Sequence, residues 1–348
     1  MKMASRTFRK VIATSLTTDF RKACEIITTN FKDLKPNEVL VKSCYTGINA
    51  TDINVTAGRY GINKVPFDVG LEGLGMIEGV GSGIPQNMIG QSVGYIFTGS
   101  FAEYVILPAK YCLPLPSVKP EYIPLLISGL TASIAFEQFG HLKPKENVLI
   151  TAAAGGTGHI AVQLAKQAGC HVIGTCSSKS KVDLLKKLGC DHVINYKEEN
   201  LFEILKRDYP SGIDVVYESI GGDIFDACLN RLAVNGRMIV LGYINSYHSP
   251  AGIDRSQKNN TLVTKLLLKS GSVCGFFLMN HMKQYPAHLA KLVQMVDDGR
   301  LKVLIEHCDD NGHQFKGLET VFKGVDYLYS QRSKGKIVID LKNGSSKL

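Results

Sequence analysis

Val148-Leu149-Ile150-Thr151-Ala152-Ala153-Ala154-Gly155-Gly156-Thr157-Gly158 is the stretch that decides the fold. An apolar run breaks there into small residues and then into a helical pattern, which is the build of a dinucleotide phosphate site. The small Ala152 permits a tight turn. Gly155 lets the backbone come close to a pyrophosphate, and Gly158 lets the next helix pack on the strand with its N-terminus toward the anion. The spacing Ala152-x-x-Gly155-x-x-Gly158 is one glycine short of the full fingerprint, so the turn alone also suits other α/β folds.

The flanks favour the nucleotide reading. From Gly158 to Gly169, apolar residues at 160, 161, 164, 165 and 168 mark one buried helix face, closed by a glycine. Cys170-His171-Val172-Ile173-Gly174-Thr175 follows at once as a second strand, completing a strand, helix, strand unit. Further strands are predicted at 147–152, 171–176, 192–195, 213–218, 237–242 and 272–277, enough for one parallel sheet covered on both faces. Before residue 128 the texture is rich in Gly, Pro and β-branched residues, as in Glu38-Val39-Leu40-Val41-Lys42, and reads as a β domain. A helix over 283–298 and a strand Gly335-Lys336-Ile337-Val338-Ile339-Asp340 predict that the chain ends by rejoining that domain, leaving the active site in a cleft between the two.

The 348 residues are 45% hydrophobic and 20% charged, an ordinary globular composition with room for two domains. Nine cysteines without a Cys-x-x-Cys pair predict free thiols and a reducing compartment. The net charge of +9 comes from Lys and Arg spread along the chain with no basic block, which argues against nucleic acid and for attraction of anionic small molecules. No apolar run of about eighteen residues and no signal-type core is recognised, so no membrane span is expected. Ser346-Lys347-Leu348 is a peroxisomal targeting tripeptide, predicting an import receptor as partner and the peroxisome as location.

About twenty residues past the turn, an NAD site carries Asp or Glu for the ribose 2′-hydroxyl. This chain has Thr175-Cys176-Ser177-Ser178-Lys179-Ser180-Lys181. Hydroxyls and ammonium groups suit a 2′-phosphate, so the cofactor expected is NADP(H). Lys179 and Lys181 also fit the start of a solvated helix face.

In order along the chain stand Gly47-Ile48-Asn49-Ala50-Thr51-Asp52-Ile53-Asn54, Gly58-Arg59-Tyr60, Gly70-Leu71-Glu72-Gly73-Leu74-Gly75, Gly99-Ser100-Phe101-Ala102-Glu103-Tyr104, the Ala152 to Gly158 turn, Asp214 to Ser219 and Gly275-Phe276-Phe277-Leu278. With these motifs the whole chain resembles the medium-chain dehydrogenase/reductase superfamily, in its zinc-free quinone-oxidoreductase and enone-reductase branch. The resemblance implies an α/β protein in which a GroES-like, β-rich catalytic domain (1–127 and 272–348) is split by a Rossmann NADP(H)-binding domain (128–271) with a six-stranded parallel sheet. It implies that Ala152, Gly155, Gly156, Thr157 and Gly158 hold the pyrophosphate and that Ser177, Lys181 and Tyr196 meet the 2′-phosphate and adenosine. Ser219, Leu241, Phe276, Phe277 and Leu278 would line the nicotinamide half. Ser333 stands where the family often has a cofactor-contacting asparagine. A strand-end surface role is the other reading of Tyr196.

Zinc alcohol dehydrogenases of the superfamily have a cysteine where Asn49 stands and a histidine where Leu71 stands, so no metal is expected. Enone reduction needs none: hydride adds to the β-carbon and a hydrogen-bond donor meets the charge on the carbonyl oxygen. Tyr247, on the loop after the fifth strand, is the candidate donor, its hydroxyl neutral with an ordinary pKa of about 10. Packing or a ribose contact is its other reading. Asn49 and Tyr60 match further catalytic cleft positions of the quinone-reductase branch, and pinning the loop backbone is the other reading of Asn49. The implied substrate is an enone or keto-lipid, with 15-oxoprostaglandins reduced at the 13,14 double bond as its class. Quinone reduction, or a non-catalytic nucleotide-bound RNA-binding or structural role, is the alternative. Gly271 to Leu278 resembles the segment through which relatives form homodimers.

Overall fold

Alternating apolar strands and amphipathic helices produce one six-stranded parallel sheet in the computed structural model, which describes residues 6–249 and 262–342. Ser346-Lys347-Leu348 lies outside the described residues. The strands are β1 (Asn147–Ile150), β2 (His171–Cys176), β3 (His192–Asn195), β4 (Ile213–Glu218), β5 (Leu232–Val240) and β6 (Ser272–Gly275). Their order across the sheet is β3-β2-β1-β4-β5-β6, all parallel. The order reverses between β1 and β4, so ligands belong beyond the carboxyl ends of these strands. Leu149, Ile173, Ile194, Val216 and Met238 form the core beneath helices Leu201–Asp208 and Gly222–Asn230, whose Leu205 and Cys228 are fully buried.

The fifth strand starts earlier than its sequence suggests. Expected from 237, it begins at Leu232: Asn235 takes φ +59° and the strand runs on through it, the surplus residues absorbed where the register against β4 shifts between Ile213 and Val215. The chain divides into two compact units, Met1–Ile127 with Ile305–Leu348, and Ser128–Leu304. This corrects the boundary expected at 272. β6 pairs with β5 from Arg237↔Ser272 to Val240↔Gly275, so residues 272–304 cluster with the parallel sheet rather than with the β-rich unit.

In the first unit, a seven-stranded sheet runs Ile305–Glu306, Lys336–Asp340, Glu38–Gly47, Glu72–Val80, Ser92–Ile96 and Cys112–Pro114, with Tyr104–Pro108 also paired to Glu38–Gly47. Lys336–Asp340 pairs antiparallel with Glu38–Gly47, so the chain's end does return to the N-terminal domain. A three-stranded sheet, Cys24–Asn30, Thr7–Ala13 and Phe67–Asp68, stands beside it. The run Pro120–Gly140 corrects the reading that no apolar stretch is long enough to cross a membrane. It has 21 residues, and 72% of its apolar 18-residue window is buried within the protein, as in a core helix. All nine cysteines are free, and Cys24, Cys170, Cys176, Cys190 and Cys228 are buried.

Candidate functional site

The turn after β1 has the build its small residues predict. Ala152 sits at φ +47°, the left-handed region where the missing fingerprint glycine would rest without strain. Its N–H reaches Thr175 Oγ1 at 3.3 Å, and the Ala153 N–H reaches the Thr175 carbonyl at 2.9 Å, tying the turn to β2. The two turn glycines do different work. A Cβ on Gly158 would lie 2.4 Å from the Ala152 carbonyl oxygen and 2.7 Å from Ala153 Cα, so this glycine is required by packing. A Cβ on Gly155 would meet only the Ala152 oxygen, at 3.2 Å, which leaves one side of the turn open for a ligand. The helix Gly158–Gln167 then starts with its N-terminus at that turn, as anion binding requires.

At the end of β2 the solvated-face reading fits Lys179, which is exposed, and not Lys181, which is 9% exposed. Lys181 acts electrostatically on the Cys176 thiol, whose pKa burial raises. Ser177 and Tyr196 share a hydrogen bond, and burial raises the Tyr196 pKa. The Tyr196 N–H donates to the Cys176 carbonyl at 3.1 Å. A buried ammonium, a hydroxyl and a phenol therefore gather at the ends of β2 and β3, where a 2′-phosphate needs donors.

At the ends of β4 and β5, Thr151 Oγ1 accepts from the Ser219 N–H at 2.9 Å, and the Leu241 N–H donates to the Glu218 carbonyl at 2.8 Å. Glu218 is fully buried; its carboxylate accepts from the Ile220 and Gly221 N–H groups, while burial raises its pKa. Tyr247 is 6% exposed and packs edge-on to Tyr243, its hydroxyl 3.4 Å from the Tyr243 N–H and close over Gly242. Phe276 stacks on His281 with ring centroids 4.8 Å apart and Leu278 is buried, whereas Phe277 between them is half exposed.

In the β-rich unit, Asn49 belongs to a buried charge cluster that sequence reasoning missed. Lys336 Nζ donates to Asn49 Oδ1 at 2.6 Å and pairs with the Glu72 carboxylate. Asn49 Nδ2 donates to the same Glu72 oxygen at 3.0 Å, and the other oxygen accepts from the Ile127 N–H at 2.8 Å. Asp52 Oδ2 accepts from the Asn49 N–H at 2.8 Å, and Oδ1 is buried without a hydrogen-bond partner. The signal available in the sequence was Lys336 itself, an ionisable residue opening an apolar strand. Tyr60 is half exposed, its hydroxyl shared with Thr51 and Asn54. Ser333 is half buried on the loop before Lys336–Asp340.

Burial pushes the Asp52 pKa up to about 7, against the opposing Asn49 N–H bond and Lys336 charge. The folded value lies above the unfolded one, near 3.8, so the contribution is fully present below about pH 4 and lost as pH rises through 7. Asp52→Asn keeps the oxygen that accepts from Asn49. It is expected to flatten the fall in stability between about pH 4 and 7, a difference of roughly 4 kcal/mol at most, read from urea midpoints across that range. An unchanged slope would place the titration elsewhere.

Two family models match the chain: an alcohol dehydrogenase GroES-like domain over residues 35–117 and a zinc-binding dehydrogenase domain over 156–295. Prostaglandin reductase-3 of Mus musculus is 46% identical, with 99% of this chain and 92% of that protein aligned. The chain belongs to the medium-chain dehydrogenase/reductase superfamily. Within that superfamily, the NADP(+)-dependent 2-alkenal reductase of Nicotiana tabacum is 30% identical over 87% of each chain. The Escherichia coli quinone oxidoreductase solved with NADPH superposes with a TM-score of 0.82 at 26% identity, covering 96% of this chain and all of that one.

The zinc that the second family model's name implies does not fit these residues. The Lys336 ammonium stands between Glu72 and Asn49, and Leu71 offers no ligand atom. Among the described residues, no group of three or more His, Cys, Asp or Glu side chains could hold a metal ion.

Proposed function

We propose that this chain reduces the carbon–carbon double bond of enones with NADPH, with 15-oxoprostaglandins, reduced at the 13,14 bond, as the substrate class. The observation that carries the cofactor half is the buried Lys181 beside the Ser177–Tyr196 pair, in a stretch, 175–181, without a carboxylate. The substrate half rests on the relatives named for prostaglandin and 2-alkenal reduction. The excess of positive charge suits an acidic keto-lipid.

When bound, NADPH supplies a hydride to the β-carbon of the enone. The pyrophosphate is held by the 152–158 turn and by the N-terminus of Gly158–Gln167, while Ser177, Lys181 and Tyr196 take the 2′-phosphate and Ser219 and Leu241 flank the nicotinamide half. Tyr247 donates a hydrogen bond to the carbonyl oxygen, where charge collects as the enolate, and the α-carbon then takes a proton from water to give the saturated ketone. Asn49 is fixed by Lys336 and Glu72, with Tyr60 as a further contact to substrate.

Initial rates with enones, quinones and 15-oxoprostaglandins under NADPH and NADH test this reading. Enone turnover with NADPH is expected to exceed that with NADH at least ten-fold. Quinone turnover without enone turnover would move the assignment to the quinone branch, and neither would leave a non-catalytic role. Lys181→Ala is expected to raise the KM for NADPH by ten- to hundred-fold, about 1.4–2.8 kcal/mol, and to leave that for NADH within two-fold; an unchanged NADPH KM removes Lys181 from the phosphate site. Tyr247→Phe is expected to lower kcat by ten- to hundred-fold with little change in NADPH KM. Full turnover would return Tyr247 to packing or a ribose contact.

A homodimer is proposed through the sheet end at β6, an edge strand preceded by a helix on which Val263, Leu267 and Leu268 are about three-quarters exposed. Light scattering of the purified protein tests it. Peroxisomal import through Ser346-Lys347-Leu348 is proposed from the sequence, and unchanged location after deleting those residues would sink it.

A further inference from the structure

The helix that follows the phosphate turn carries a polar stripe, His159, Gln163 and Gln167, four residues apart and therefore on one face. Each side chain grips the backbone of segment 300–304. Gln167 Nε2 donates to the Arg300 carbonyl at 2.8 Å. The Gln163 amide does so twice, Nε2 to the Lys302 carbonyl and Oε1 from the Lys302 N–H, both at 2.8 Å. His159 takes the last rung: its Nε2 accepts from the Leu304 N–H at 3.1 Å.

The other ring nitrogen of His159 faces the turn. Nδ1 stands 2.9 Å from the Gly155 carbonyl oxygen, which can only accept, so the ring is neutral with its proton on Nδ1. The same carbonyl accepts from the His159 backbone N–H at 3.1 Å, and the ring is fully buried. A trans peptide holds its C=O and N–H on opposite sides. Fixing the Gly155 carbonyl toward His159 therefore turns the Gly156 N–H the other way, out of the turn.

We propose that His159 is a positioning residue for the cofactor: its ring braces the Gly155 carbonyl against segment 300–304 and so aims the Gly156 N–H at the NADPH pyrophosphate. This rests on the NADP(H) reading above and adds a residue that never touches the cofactor. The ring makes two bonds, one to the turn and one to the segment, and they are separable. His159→Asn places an amide N–H near the Nδ1 position and loses the Leu304 acceptor. His159→Gln reaches Leu304 and loses the Gly155 donor.

NADPH titration followed by fluorescence, steady-state rates and amide hydrogen exchange at Leu304 read the two bonds independently. His159→Gln is expected to raise the Kd and KM for NADPH about ten-fold, the worth of one hydrogen bond at a preorganised anion site, with kcat within two-fold. His159→Asn is expected to keep Kd within about three-fold of the wild type although its Leu304 amide exchanges faster. Equal affinity in His159→Gln and the wild type, or a larger loss in His159→Asn than in His159→Gln, would overturn the proposal. Wild-type protein that fails to bind NADPH would instead overturn the cofactor reading on which it stands.

Discussion

Gly158→Ala is expected to weaken NADPH binding about 100-fold, close to 3 kcal/mol, although the substitution adds one methyl group. All three atoms that the new Cβ would meet belong to backbone: the Ala152 oxygen at 2.4 Å, Ala153 Cα at 2.7 Å and the Ala153 oxygen at 2.8 Å. None is the end of a flexible side chain, so either the turn opens or the helix start moves away from β1. Overpacking of this kind costs about 1–3 kcal/mol of stability, and the displaced N-terminus no longer presents its N–H groups to the pyrophosphate. Gly155→Ala is the matched control. Its Cβ would touch only the Ala152 oxygen, at 3.2 Å, so the fold should hold within about 1 kcal/mol while the methyl intrudes on the open side of the turn. A calorimetric titration together with a melt of each variant separates these effects. Gly158→Ala with wild-type affinity would mean that the turn does not carry the phosphate.

Lys336→Met is expected to cost about 3–5 kcal/mol of folding stability. Lys336 is 2% exposed and Glu72 wholly buried, and their contact is the charge compensation of a cluster that also holds Asp52 and Asn49. Without the ammonium, Glu72 keeps the Ile127 and Asn49 donors but no cation, and a buried charge left unpaired is far costlier than a surface one. Lys336→Met combined with Glu72→Gln removes both charges and is expected to recover at least half of the loss, because replacing a buried pair by neutral groups is often close to neutral. Urea denaturation of the single and double variants closes the cycle. A single variant within 1 kcal/mol of the wild type would show that Lys336 does not compensate Glu72.

What could be read from the sequence was local. The β1 turn, the Ser177 to Lys181 stretch and the parallel strands are set by neighbours in the chain, through small residues at fixed spacing and apolar runs of strand length. The Asn49, Glu72 and Lys336 cluster could not be read this way, since Lys336 is 287 residues from Asn49 and only the antiparallel pairing of Lys336–Asp340 with Glu38–Gly47 joins them. The start of β5, expected at 237, lies at Leu232, because sheet pairing holds the strand through an Asn at positive φ. The boundary near 272 failed although the strand at 272–277 was expected: pairing with β5 ties β6, and 272–304 with it, to the parallel sheet, so the chain leaves that unit only after Leu304. His159, Gln163 and Gln167 did leave a trace, a four-residue polar repeat on a helix otherwise apolar on its buried face. Its meaning required segment 300–304 to be in place.

The most direct test of the enone-reductase assignment is to follow the transferred hydride itself. With NADPH deuterated at the nicotinamide C4 and a simple enone as substrate, the saturated ketone is expected to carry one deuterium on its β-carbon, seen by mass spectrometry and NMR. Deuterium on the former carbonyl carbon of an allylic alcohol, or no deuterated product from any enone while quinones are reduced, would contradict it.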